Sequence, residues 1–132
     1  MYYFAYGSNL NRKQMSQRCP AAKPLFKATL PNYRLIFARS PDSRHGVATI
    51  QRFMDEKVFG GIYEISEKDL KSLDRNEGYP STYDRINVTV FNEDGEPLKV
   101  ITYIKTDQSA EAKPSPEYLA LIQQGYRDWG LR

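Results

Sequence analysis

Residues 1–15 read MYYFAYGSNLNRKQM, and the way this stretch changes character decides the fold. The aromatic run at 2–6 has the composition of a strand. Gly7-Ser8-Asn9 breaks it, and a short helix is expected to open between Asn9 and Asn11 and to run near 10–18. Backbone N–H groups between a strand end and a helix start have no ladder partner and no preceding helical turn to receive them. Gly7 removes the side chain that would hold a ligand away, and a helix dipole would add positive potential at the same point. Two readings stay open: a cradle for an anion or a developing oxyanion, or a plain turn with an N-cap.

Outward from this stretch, the chain alternates short β-branched and aromatic runs with turn residues. The expected strands are 2–6, 25–30, 33–38, 46–51, 57–65, 84–91 and 98–105, with Asn92-Glu93-Asp94-Gly95 as a hairpin between the last two. A second helix is expected over 66–77, where Ser66 caps, Asp69 stands three residues on and Gly78 ends it. A third is expected over about 116–129. There Ser115 caps, Pro116 suits the first helical position, and Tyr118, Leu119, Ile122, Tyr126 and Trp129 recur at helical spacing. No linker, repeat or low-complexity segment divides residues 1–132, so one domain is expected. Seven strands with isolated helices in so short a chain imply an α+β fold, a small mixed-sheet β-barrel with flanking helices.

Composition narrows the function classes. With 40% hydrophobic and 27% charged residues among 132, a real core and a solvated surface are both affordable. The net charge of +3 is small, and its cations are interleaved with acids, so no nucleic-acid partner is expected. No apolar run reaches membrane-spanning length, so no membrane partner is expected either. A single cysteine, Cys19, excludes an internal disulfide, and no charged and apolar leader precedes the first strand, so a cytoplasmic location is expected. One cysteine and one histidine make a metal site improbable, and none is expected. Ser8 with His45 does not make a hydrolase, since no acid is placed to orient the histidine. His45 is expected to pack or to line a pocket. Arg34, Arg39, Arg44 and Arg52 are read as a solvated strand face, with attraction of an anionic substrate as the other reading. Ten tyrosines suit half-buried strands or the lining of a polar pocket.

One carboxylate stands out. On the 66–77 helix, Leu70 and Leu73 mark the apolar face, and Glu77 falls on that face where a leucine would be expected. It also lies in the last turn, where the helix dipole disfavours negative charge. Burial and dipole would both raise its pKa toward the range useful for proton exchange near neutral pH. The other reading is a frayed last turn with Glu77 in water.

Tyr6-Gly7-Ser8-Asn9-Leu10, followed by Leu73-Asp74-x-x-Glu77-Gly78 and then Tyr83, resembles the γ-glutamylcyclotransferase family and its AIG2-like and BtrG-like kin. His45-Gly46-Val47-Ala48-Thr49-Ile50 resembles a further segment of the γ-glutamylcyclotransferases proper. So does Pro114-Ser115-Pro116-Glu117-Tyr118, with Gly125 and Trp129-Gly130-Leu131 behind it. The resemblance covers nearly the whole chain in the family's order. It implies a small mixed barrel with flanking helices that releases 5-oxoproline from γ-glutamyl compounds without a cofactor.

Carried over residue by residue, the resemblance implies that Tyr6, Gly7, Ser8, Asn9 and Leu10 hold the γ-glutamyl group, largely through backbone N–H groups. It implies that Glu77 is the catalytic acid and base. Tyr83, Tyr103 and Tyr118 match aromatic positions at the pocket, although each is also readable as a barrel-wall aromatic. The loop before Tyr83 is shorter than in better-known members, and the long carboxy-terminal extension of some relatives is absent. The partner implied is a small-molecule γ-glutamyl substrate, with an amino acid as the leaving group and a γ-glutamylamine as the alternative. A pocket-bearing binding protein of the same fold is the competing reading from another class.

Overall fold

The computed structural model describes residues 1–41 and 44–131. Five strands form a closed barrel: β1 (Tyr2–Ala5), β2 (Lys23–Arg39), β3 (Gly46–Glu64), β4 (Tyr83–Phe91) and β5 (Pro97–Lys105), in the order β1-β3-β2-β4-β5. Its helices are α1 (Arg12–Arg18), α2 (Glu67–Glu77) and α3 (Pro116–Asp128). Neighbouring strands are antiparallel except at the closing seam, where β1 and β5 pair in parallel through Tyr3 and Ile101. The mixed-sheet barrel with flanking helices is the architecture expected from the sequence.

The strand count is not. Runs 25–30 and 33–38 are one strand, β2, and runs 46–51 and 57–65 are one strand, β3. The residues taken for turns between them are a bulge. Asn32 and Asp55 both adopt positive φ, 63° and 70°, and the Asn32 side chain accepts the Asp55 N–H at 3.2 Å. Asn and Asp tolerate this left-handed conformation better than other side-chain-bearing residues. The register shifts between Pro31 and Tyr33, and the long ribbon bends without ending. The 92–95 hairpin forms as expected, with Asn92 Oδ1 accepting the N–H groups of Asp94 and Glu96.

The helices begin and end where their caps predict. Ser66 and Asp69 form a reciprocal capping box at α2, and Ser115 accepts the Tyr118 N–H at 3.2 Å with Pro116 in the first turn of α3. The opening stretch differs. A single 3₁₀ turn occupies Ser8–Leu10, and α1 starts only at Arg12, capped by the Asn11 side chain on the Gln14 N–H. The dipole of α1 therefore starts beyond Gly7-Ser8-Asn9 and not at it.

Two packed regions lie back to back. Inside the barrel are Phe4, Leu30, Ile50, Ile62, Val90 and Val100. Between barrel and helices are Tyr3, Leu10, Met15, Tyr63, Leu73 and Trp129. β1 is buried on both faces from Tyr3 to Ala5, so the loop leaving it starts from a fixed point. Tyr63 and Trp129 meet edge to face at 5.2 Å, and the Trp129 indole donates to Leu10 O at 2.8 Å. These contacts seat α3 against the opening loop.

Candidate active site

The sequence places Glu77 one turn beyond Leu73, which is fully buried. Gly78 then takes φ 69°, and the Gly78 and Tyr79 N–H groups return to Arg75 O and Asp74 O, closing the helix so that Glu77 is its last residue. There is no fraying. The half-buried Glu77 side chain lines a cavity of about 360 Å³ at the mouth of the barrel. Burial pushes its pKa up from 4.5 to about 7, against a smaller opposing pull from the Arg18 guanidinium. Among the described residues, none forms a hydrogen bond or ion pair with the carboxylate.

Opposite stands the opening loop. Gly7, Ser8 and Asn9 line the cavity. The 3₁₀ turn consumes their carbonyls, since Leu10 N–H donates to Gly7 O and Asn11 N–H to Ser8 O, both at 3.0 Å. The N–H groups of Gly7, Ser8 and Asn9 themselves meet no acceptor among the described residues. The turn is braced from behind: Tyr63 donates to Asn9 O at 3.0 Å, Asn9 Nδ2 donates to the Tyr3 hydroxyl at 2.9 Å, and Gln14 donates to Ser8 Oγ at 3.0 Å. A Cβ on Gly7 would stand 3.1 Å from the Ala48 Cβ and 3.9 Å from the Tyr118 hydroxyl, so a side chain there enters the cavity wall.

Tyr6, Tyr83, Tyr103 and Tyr118 also line the cavity, with hydroxyls tied into the frame. Tyr6 donates to Tyr103 O, Tyr83 to Ala48 O and Tyr103 to Asp74 Oδ1, each at 2.6 Å, while Ala48 N–H donates to Tyr118 at 3.0 Å. Burial raises the pKa of each, and the negative charge of Glu77 raises each further. These four tyrosines thus share one cavity with the carboxylate. Leu10 is placed elsewhere: it is fully buried in the layer beneath α3 and is not among the lining residues.

Sequence reasoning missed Tyr3 and Arg18, which line the same cavity. Arg18 ends α1, and its Nη1 donates to Asn9 Oδ1 at 2.9 Å while its carbonyl accepts from Ser72 of α2 at 2.7 Å. Tyr3 carries a sequence signal in retrospect, being a polar-tipped ring in a strand buried on both faces. Arg18 carries none, because its place depends on how α1 lies across the loop. His45 is exposed and outside the lining, in place of the packed or pocket position expected. Arg34, Arg39, Arg44 and Arg52 also lie outside it, and Arg34 is held by Gln51 and the Phe53 ring. Among the described residues, no three His, Cys, Asp or Glu side chains group as metal ligands. Among the described residues, no helix is long and apolar enough to cross a membrane.

Residues 3–128 match the family model described as gamma-glutamyl cyclotransferase, AIG2-like. The gamma-glutamylcyclotransferases of Homo sapiens and Bos taurus are each 33% identical, over 98% of this chain and 71% of theirs. A solved structure described as gamma-glutamyl cyclotransferase superposes with a TM-score of 0.92 at 31% identity, covering 99% of this chain and 80% of that one. With the family model matched over residues 3–128 and relatives 33% identical over nearly the whole chain, the protein belongs to the γ-glutamyl cyclotransferase, AIG2-like family.

Proposed function

We propose that Glu77 is the single proton carrier of a γ-glutamylcyclotransferase that converts γ-glutamyl amino acids into 5-oxoproline and a free amino acid. The substrate supplies its own nucleophile. Its α-amine curls onto the δ-carbonyl carbon and closes a five-membered lactam, so no serine or cysteine nucleophile is required. Holding amine and carbonyl in contact supplies part of the rate, since oriented intramolecular attack reaches effective molarities of roughly 10⁵ M or more.

Glu77 takes a proton from the α-ammonium, and the freed amine attacks. The C–N bond to the leaving group then breaks as Glu77 returns the proton to the departing nitrogen. The second proton shed by the lactam nitrogen is matched by protonation of the released amine, so the reaction is proton-neutral. A carboxyl near 7 is a better base for the α-ammonium than an ordinary carboxylate at 4.5, because the proton transfer is then less far uphill. The oxyanion that forms on the δ-carbonyl is met by the unpaired N–H groups of Gly7, Ser8 and Asn9.

The observation that carries this reading is the placement of Glu77: a carboxyl with a raised pKa, unpaired among the described residues, lining one cavity together with bare amide donors. It is tested by incubating the parent and Glu77→Gln with a panel of γ-glutamyl dipeptides and γ-glutamylamines and measuring 5-oxoproline. The parent should turn over the dipeptides. Glu77→Gln should lose about 10³–10⁴-fold in kcat with KM little changed. Parent-like turnover by Glu77→Gln would remove the residue from the mechanism, and turnover of amines alone would reassign the substrate class.

A further inference from the structure

The directions of the hydrogen bonds around the cavity are dictated by their partners. A carbonyl oxygen only accepts, so Tyr83 spends its one proton on Ala48 O at 2.6 Å. Tyr103 spends its proton on the Asp74 carboxylate, also at 2.6 Å. A ligand meeting these two phenols finds lone pairs. Tyr6 has spent its proton on Tyr103 O and its oxygen also faces Thr49, so it is satisfied within the protein. Glu77 accepts as well. Arg18 is the opposite kind of group, bearing donors only, of which Nη1 is committed to Asn9 Oδ1 at 2.9 Å. The bare N–H groups of the 7–9 loop lie on its side.

The cavity is therefore polarised. Glu77, Tyr83 and Tyr103 make an accepting wall, and Arg18 with the loop makes a donating one, while Arg75, on the Glu77 helix, also lines the cavity. Arg18 and Glu77 do not pair; the ion pairs among the described residues are Lys27–Glu93 and Arg85–Asp74. Yet both line the same cavity, so a gap separates them.

We propose that this gap receives the substrate's α-carbon, with the Tyr83 and Tyr103 oxygens accepting from its ammonium beside Glu77 and the Arg18 guanidinium binding its carboxylate. The assignment rests on the cyclotransferase reading above. The reacting ammonium must reach Glu77, and the α-carboxylate is attached to the same carbon, so a cation opposite Glu77 meets that carboxylate. A carboxylate on the leaving amino acid lies beyond the δ-carbonyl and farther from Glu77. Arg18 is thus a specificity-determining residue for the α-amino acid end, and the two tyrosines fix which face of it reaches the base.

Two analogues separate the walls. One is the γ-glutamyl substrate with its α-carboxylate converted to carboxamide. The other is the glutaryl counterpart, which lacks the α-amine and is read as a competitive inhibitor. The parent should favour carboxylate over carboxamide by roughly 10–100-fold in kcat/KM, the worth of a charge-assisted contact. Arg18→Met should shrink that preference to about threefold or less and weaken the glutaryl inhibitor, and Arg18→Lys should restore part of both. Should Arg18→Met not fold, Arg18→Gln is read the same way. Tyr83→Phe and Tyr103→Phe should raise KM for the substrate several-fold while leaving the inhibition constant of the glutaryl compound unchanged. The proposal is overturned if Arg18→Met lowers carboxylate and carboxamide substrates equally, or if the phenylalanine variants weaken the glutaryl inhibitor as much as the substrate. If the parent forms no 5-oxoproline from any γ-glutamyl compound, the cyclotransferase reading fails first and this assignment with it.

Discussion

Glu77 behaves as a titrating group that the fold holds partly against its preference. Its carboxyl is raised to about 7 in the folded protein against 4.5 when solvated. Between those values the folded state keeps a proton that the unfolded chain has released, so stability is highest below the unfolded value and declines as pH rises through this window. Gln is neutral throughout. Glu77→Gln should therefore match the parent in thermal unfolding near pH 4 and exceed it at pH 8, by at most about 3 kcal/mol because cavity water reaches the carboxylate. Catalysis runs the other way: the base must be deprotonated, so kcat/KM should rise with pH and level off above about 7. A profile flat from pH 5 to 8 would contradict the assignment. At Gly7 the issue is space. Gly7→Ala should keep the fold, since the nearest atom in its way is the Ala48 Cβ at 3.1 Å, which must give by a few tenths of an ångström. The loop amides would shift with it, and kcat/KM should fall roughly 10–100-fold, measured on the same γ-glutamyl dipeptide.

The accuracy of the site depends on how α3 meets the 3₁₀ turn. Gly125 lets the two backbones touch, since a Cβ there would stand 2.6 Å from the Leu10 Cβ and 2.7 Å from the Asn11 nitrogen. Gly125→Ala should force α3 outward, lower Tm by about 5–10 °C in a thermal melt, and reduce turnover because α3 carries Tyr118 to the cavity. The elements themselves were largely legible beforehand. Caps at Ser66, Ser115 and Pro116 placed two helices, because capping is a local competition for N–H groups that the sequence states openly. The β2 and β3 ribbons were misread as four strands because Asn32 and Asp55 look alike in a turn and in a bulge. Only the pairing across the ribbon distinguishes the two. Glu77 was legible as an acid on an apolar face. Arg18 was not, since an arginine at a helix end is ordinary until another element folds over it.

At the scale of the molecule, the reaction asks the barrel for positioning and one proton carrier. The nucleophile is part of the substrate and the proton shuttle is a carboxylate. Turnover should accordingly survive exhaustive dialysis against a chelator; loss that a divalent ion restores would instead mean Lewis-acid polarisation of the carbonyl. The barrel holds the site by joining distant parts of the chain. Tyr6 reaches Tyr103 across 97 residues, Thr102 reaches Phe4 across 98, and Trp129 reaches Leu10 across 119. The parallel seam between β1 and β5 has a temporal counterpart: as the chain leaves the ribosome, the amide cradle at residues 7–9 is made before the elements that enclose it. It cannot acquire its opposite wall until β5 has been synthesised, nor its backing until α3 follows. Long-range closure of this kind is slow relative to local pairing. A nascent chain halted before residue 97 therefore holds the binding loop and Glu77 in sequence but not in register, and competence to bind arrives late and all at once.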